Sequence, residues 1–431
     1  MPSLPALFRR IRETFWWRPA ALVAAAVVLA EVFVITDRLL DTTSWSQGSA
    51  WQLGVEGSRG LLTAIGSSML GVAATAFSIT VAVIATASSS YGPRLVRNFM
   101  TDRSNQLVLG SFVATFVYSL LVLRSVRSAD QDLGTDAFVP FLSVHTAILL
   151  ALVDVGALVY FIHHIAESIQ ISTLAVRLRE ELTSVAQREY ADPPRQARRD
   201  VDGAVAEARY QGHAVRATQA GFVVSVDRDR LVDVTARAGG LAVMDVGVGD
   251  HVIPGEPLMH STAADEHDEA LGECVGVGDA RTPVQDARFA VQQLVEMAVR
   301  ALSPGTNDPY TARNAIQELG AGLSVMVAAG SPPAGWADDD GRLRLVLDVP
   351  SPLDLADEAL TDLRVHGSSE PYVVREILRL GERLTTAGDG EVGELVRTHI
   401  ALVLDAFAES GCHADTVRLR EIASSMALTR A

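Results

Sequence analysis

The sequence predicts an α-helical membrane bundle of four transmembrane helices followed by an α+β cytosolic domain. That domain holds a small barrel-sandwich-like β subdomain and a helical C-terminal part. Three observations predict this. Four apolar runs, about 19–36, 61–87, 106–126 and 139–165, are each long enough to cross about 30 Å of hydrocarbon. Between about 212 and 261 the pattern turns to Val-rich runs broken by Gly and Asp, which reads as strands. Helical periodicity returns after about 282. The expected domains are a cytoplasmic N-tail (1–18), the bundle (19–165), a helical stalk and linker (166–200), a small β-domain (201–275) and a mostly helical cytosolic domain (276–431).

The first run is preceded by Arg9, Arg10, Arg12 and Arg18, with Trp16 and Trp17 where interfacial aromatics belong. TDRLLD follows it instead of a small-residue cleavage site, so it is expected to be retained as a span. The second run, LLTAIGSSMLGVAATAFSITVAVIATASSS, holds no charge. In it Ser67, Gly71, Thr75, Ser78, Ala82, Ala85 and Ser89 recur at spacings of three and four, forming a narrow, hydroxyl-bearing stripe. Small residues let helices approach closely, and they also leave room for water along a pore. The third and fourth runs are QLVLGSFVATFVYSLLVLRSV and VPFLSVHTAILLALVDVGALVYFIHHI. The basic N-tail and the loop 91–105, with Arg94, Arg97 and Arg103, put both termini on the cytoplasmic side of the membrane.

Beyond the fourth span, 166–190 continues as an amphipathic helix until Asp192-Pro193-Pro194 stops it. The stretch Gly249-Asp250-His251-Val252-Ile253-Pro254-Gly255-Glu256-Pro257-Leu258 resembles the last hairpin of biotinyl- and lipoyl-type barrel-sandwich domains, without their modified lysine. Thr282-Pro283-Val284-Gln285 reads as a helix start, with Thr282 as N-cap. Asp308 and Pro309 read as the start of the next helix. LRLVLDV reads as a strand, and helical patterns follow near 352–365, 371–386, 391–409 and 413–428.

Charge narrows the functional classes. The net charge of the 431 residues is −16; residues 1–165 carry 11 arginines against 10 acids, and the rest 25 against 42. The acid excess lies wholly in the C-terminal part, which argues against nucleic acid as a partner. There is no lysine, so Walker-type phosphate loops and Schiff-base chemistry are excluded. Two distant cysteines, Cys274 and Cys412, suit neither a disulfide framework nor a structural zinc site. No cofactor and no metal site are expected.

The candidate site residues lie mostly in the bundle. Glu31 and Asp154 are acids inside spans, and Thr75 and Tyr118 fall at about the same depth, so each span offers a polar group near one layer. An ionisable residue at that depth points to a cation or proton site; a hydrogen-bonded layer holding the bundle together is the plainer reading. His163, His164 and Glu167 sit at the cytosolic mouth of the fourth span, where a hydrated turn competes with pH sensing. His260, His267 and Cys274 lie in an acidic stretch whose spacing matches no metal motif. Pro304, Gly305, Asn307, Asp308 and Pro309 form a structural corner between helices.

Three strings, SITVAVIATASSSYGPRLVRNFMTDRSNQLVLGSFVATFVYSLLVLRSV, YFIHHIAESIQ and RTPVQDARFAVQQLVEMAVRALSPGTNDPYTA, resemble the bacterial predicted membrane proteins of domain-of-unknown-function family 2254. The resemblance spans nearly the whole chain and implies the architecture without a substrate. The sequence-based expectation is a self-associating channel or permeation protein in the lipid bilayer, passing cations and gated by its acidic cytosolic domain. A membrane-anchored sensor or scaffold is the alternative, and no catalytic set is visible.

Overall fold

A computed structural model describes residues 16–39, 53–91, 103–127, 137–168, 171–191, 197–198 and 201–428, and divides the chain into two units, Met1–Gln170 and Ile171–Ala431. The first unit contains helices α1 (Trp17–Leu39), α2 (Val55–Tyr91), α3 (Arg103–Ser125) and α4 (Phe141–Ser168). All four are long and apolar enough to cross a membrane. Between apolar helices in lipid there is little hydrophobic drive, so association depends on close packing and polar contacts.

α3 is the central helix, packed by the other three. α1 runs parallel to it: Arg18 donates to Gln106 Oε1 at 3.3 Å near one end, and Arg124 pairs with Glu31 at 2.9 Å near the other. The two approach closest at Gly110, where an added Cβ would lie 2.9 Å from Pro19 Cα and 2.8 Å from Leu22 Cδ1. α2 and α4 run antiparallel to α3. Arg59 donates to the Val126 carbonyl, and Gly66 lies against Phe116 and Ser119. Tyr118 donates to the Ser143 carbonyl at 3.1 Å, and Tyr160 to Ser104 Oγ at 3.2 Å. The bundle core is built from Ala30, Leu62, Tyr118, Val122 and Ala147 at one end and Met69, Ala76, Phe112 and Phe161 at the other.

The second unit opens with α5 (Ile171–Ala186) and a π turn (Gln187–Ala191). The stretch expected as a stalk is here a core helix: Leu174, Leu178, Leu182 and Val185 are buried, and α5 packs on α9 (Ala287–Ala301) and α10 (Pro309–Ala329). Between them lie β1 (Ala197–Arg198), α6 (Asp202–Gln211), β2 (His213–Arg216), β3 (Gly221–Val226), α7 (Arg228–Arg237), β4 (Ala242–Met244), β5 (His251–Val252), β6 (Pro257–Ser261), α8 (Asp268–Gly272) and β7 (Val275–Gly278). After α10 come β8 (Gly335–Ala337), β9 (Leu343–Val346), α11 (Pro352–Gly367), α12 (Pro371–Ala387), α13 (Gly390–Ser410) and α14 (His413–Ser425).

The strands form two sheets, ordered β1-β8-β9-β4-β6-β2 and β5-β3-β7. Among the described strands only β4 and β9 pair in parallel, with Ala242 opposite Leu345. One apolar core serves both sheets, with Val223, Val252 and Val275 from the smaller meeting Met259, Trp336 and Leu345 from the larger. The large sheet takes β8 and β9 from beyond 276, because the parallel β4–β9 pairing needs a long crossover connection.

Three local expectations are corrected. The segment 228–237 is a helix and not a strand: Asp227 caps it by accepting from Arg230 N, and Leu231, Val234 and Thr235 bury one helical face. The ten residues 249–258 are not a paired hairpin, since β5 pairs with β3 and β6 with β2 and β4, so the stretch crosses from one sheet to the other. The helix expected from Thr282 starts at Ala287, where Asp286 accepts from Phe289 N at 2.8 Å, and Gln285 instead bonds both backbone groups of Val226. The Asp308 cap stands as expected, accepting from Tyr310 N, Thr311 N and Thr311 Oγ1 with Pro309 at the first position.

Candidate functional site

The bundle carries the intramembrane polar groups. Asp154, in the middle of α4, is only 2 % exposed. Its carboxyl faces the hydroxyls of Thr115 and Ser111 on α3, and Asp154 Oδ2 has no hydrogen-bond partner among the described residues. Ser111, Thr115 and Ser119 recur every fourth residue and so share one face of α3. Ser119 Oγ, fully buried, also lacks a partner among the described residues. This ridge was not singled out in the sequence, though its spacing is of the kind that marked the stripe on α2.

Glu31 sits elsewhere. Its carboxylate pairs with Arg124, about 14 to 20 Å along α3 from Thr115 and Ser111 at 1.5 Å per residue. Tyr118 belongs to that same end, bonded to Ser143, while Thr75 lies toward the Asp154 end. The four residues read as one layer are therefore placed at two levels, and Glu31 and Asp154 are not brought together. Thr75 is exposed and donates to the Gly71 carbonyl at 3.0 Å, so it does not face Asp154.

The stripe on α2 faces away from the bundle. Ser67, Gly71, Thr75, Ser78, Ala82 and Ala85 are exposed, while Leu62, Gly66, Met69, Ala73, Ala76 and Thr80 make the buried face. The Ser67 and Ser78 hydroxyls donate back to the Thr63 and Ala74 carbonyls, at 2.8 and 2.9 Å. The side chain of Ser89 lies outside the described residues.

Asp37 is a polar anchor the sequence reading missed. It is completely buried and accepts from Leu142 N, Ser143 N and Ser143 Oγ at 2.9, 2.9 and 2.7 Å. It thus caps α4 from the end of α1, satisfying two of the first-turn N–H groups that every helix leaves open. At the other end of α4, His163 is exposed and His164 stacks on Tyr160 with ring centroids 5.5 Å apart. The Glu167 side chain lies outside the described residues.

The second unit pairs its buried charges internally. Arg281 forks onto Asp286 at 2.7 and 2.9 Å, and Glu189 pairs with Arg228, whose guanidinium lies 5.0 Å from the Trp336 ring. His260 bonds Asp245 at 2.6 Å, His267 lies 3.7 Å from Glu266, and Cys274 Sγ contacts the Ala270 carbonyl, so these three are not gathered. Burial pushes the Cys274 thiol above its ordinary range. Among the described residues no group of three or more His, Cys, Asp or Glu is placed to hold a metal. In the corner, Asn307 takes φ 44° and Asp308 N bonds the Ala301 carbonyl at 2.7 Å, which turns α9 into α10. The Thr311 hydroxyl bond, with the backbone bonds behind it, holds the Asp308 carboxyl below the usual range.

Four helices apolar enough to cross a membrane, followed by a mixed helix-and-sheet unit, fit the class of membrane proteins. The chain belongs to the predicted membrane protein family DUF2254, whose model matches residues 12–382. It is similar to uncharacterized proteins of Mycobacterium tuberculosis and Mycobacterium bovis, 32 % identical over 414 residues, covering 93 % of this chain and 77 % of theirs. No solved structure matches it.

Proposed function

We propose that the protein is a permeation protein of a bacterial inner membrane, passing protons or small cations, with Asp154 as its ionisable site. One observation carries this reading: a carboxyl buried at the middle of an apolar helix, one oxygen unpartnered among the described residues, beside a ridge of hydroxyls. Charge at that depth is costly, and residues that bear it mark ion and proton routes. Both termini lie in the cytosol on this reading, and the acidic C-terminal unit gates the route or collects cations. Its partners are the bilayer, cations and other copies of the chain, meeting along the α2 stripe; nucleic acid is not among them.

The test is flux through the purified full chain in liposomes, followed with an internal pH dye. Wild type is expected to dissipate an imposed proton gradient, and Asp154→Asn to slow this at least tenfold. Equal flux in the two would remove Asp154 from the route. A wild type with no flux to protons, sodium or potassium would favour the second reading, a membrane-anchored sensor or scaffold. That reading has one observation of its own: an open groove of about 810 Å³ in the second unit, bordered by Trp336, Arg237, Arg342, Asp229 and Asp233.

A further inference from the structure

A second polar feature of the bundle has no part in the proposed route. Between the ends of α1 and α3 lies a cavity of about 230 Å³, floored by Ala30, Val34 and Leu121 and walled by Glu31, Arg38, Arg124 and Arg127. Arg38 and Arg124 are in the last turns of their helices, and Arg127 is held by a two-residue bridge to Phe138, with both backbone bonds at 3.0 Å. The Arg38 guanidinium lies 5.8 Å from the centroid of the Phe138 ring. The four charged side chains are exposed, while Ala30 and Val34 beneath them are buried, so the wall opens to solvent above an apolar floor.

Among the described residues its charge is unbalanced. Arg124 is taken by Glu31, but neither Arg38 nor Arg127 has a carboxylate partner among the described residues. Asp37, next to Arg38 in sequence, accepts from the start of α4 with both oxygens. Among the described lining residues, three guanidiniums stand against one carboxylate, a net +2. The plain explanation is that arginines complement helix C-termini. Each terminus, however, carries only about half a negative charge, so α1 and α3 together offset about one unit and a surplus remains. The cavity is also smaller than the roughly 300–1,000 Å³ of pockets for drug-sized ligands. Its size and sign fit a small oxyanion held by several guanidinium forks.

We propose that this cavity binds a phosphate group, carried either by a phospholipid headgroup or by free phosphate. Arg38 and Arg127 hold its oxygens, the Glu31–Arg124 pair sets the charge of the third wall, and the apolar floor meets the ligand's ester carbon when there is one. The site is independent of Asp154, so it stands or falls apart from the permeation reading.

The experiment is calorimetric titration of the full chain in a non-ionic detergent, with two probes: inorganic phosphate and short-chain phosphatidylglycerol. Saturable binding of either probe or both supports the site and tells its source. The double variant Arg38→Gln/Arg127→Gln is expected to weaken binding at least tenfold, and Arg103→Gln, at the opposite end of α3, to leave it unchanged. Glu31→Gln is expected to tighten binding severalfold, a gain that a damaged fold would not give. No saturable binding of either probe would overturn the proposal. So would equal weakening by Arg103→Gln, or an unchanged affinity in Glu31→Gln.

Discussion

Replacing Asp37 with alanine should loosen the bundle more than any other single change at its polar end. The residue is fully buried and accepts three hydrogen bonds of 2.7 to 2.9 Å from the first turn of α4, a partner more than 100 positions away in the chain. A lone helix cap is worth about 1 kcal/mol, and hydrogen bonds to charged groups about 1.5–3 kcal/mol each. Taking the low end for three bonds gives an upper figure of about 4.5 kcal/mol, and water reaching the freed N–H groups lowers it. The expected loss is about 3 kcal/mol, with Asp37→Asn between alanine and wild type because one acceptor oxygen remains. The assay is equilibrium unfolding of the full chain in mixed micelles with increasing sodium dodecyl sulfate, read by tryptophan fluorescence. A loss under about 0.5 kcal/mol for Asp37→Ala, the range of ordinary surface changes, would show that α4 does not depend on a cap supplied by α1.

Asp308→Ala should cost about 1 kcal/mol at neutral pH by removing the cap of α10. The folded pKa of Asp308 lies below its unfolded value, so this contribution is full above about pH 4 and fades as the pH falls through the folded value. Melting curves of wild type and variant should therefore converge on acidification; a gap that widens below pH 4 would contradict the sign. Gly110→Val should destabilise the bundle by about 1–3 kcal/mol in the detergent assay, because the contact is with Pro19 backbone, which cannot swing aside. Ellman's reagent should titrate one thiol quickly, the exposed Cys412, and Cys274 only after unfolding, since Cys274 is buried and its thiolate disfavoured. Two fast thiols would show that the second unit opens readily. Gly71→Leu, on the outward face where an added Cβ meets nothing within 4 Å, should leave the unfolding curve within about 0.5 kcal/mol of wild type while reducing crosslinking between copies.

The spans were legible because a helix in hydrocarbon must be apolar along its whole length, a rule that single residues cannot override. The orientation of each face was less so. The stripe on α2 drew notice for its small residues, yet the residues that pack on α3 are Leu62, Met69, Ala73 and Ala76. The ridge Ser111–Thr115–Ser119, buried at Thr115 and Ser119, has the same spacing and went unmarked because Phe112, Val113 and Phe116 surround it in sequence. Arg228–Arg237 lies within the Val-rich stretch 212–261 that reads as strands, but Asp227 and the Leu231–Val234–Thr235 spacing favour a helix there. Thr282 and Asp286 are both sound caps locally; tertiary use of Gln285 by Val226 selects the second. Asp37 was beyond any local reading, because its role exists only once α1 and α4 are side by side.

The two faces of α2 and α3 also constrain where a route can run. If ions passed along an axis shared by several copies, the polar groups would need to line the outward face of α2. There the hydroxyls of Ser67, Thr75 and Ser78 are turned onto their own helix's carbonyls, which leaves them as content beside lipid or another helix as beside water. Four buried side-chain atoms of the bundle have no hydrogen-bond partner among the described residues, Ser58 Oγ, Asn105 Oδ1, Ser119 Oγ and Asp154 Oδ2, and of these only Asp154 carries an ionisable group. Buried polar atoms without partners are costly, so they persist where a ligand, a proton or water completes them. On the proposed permeation reading, then, a route would run beside Asp154 within each bundle, and copies meeting along α2 would each hold their own path.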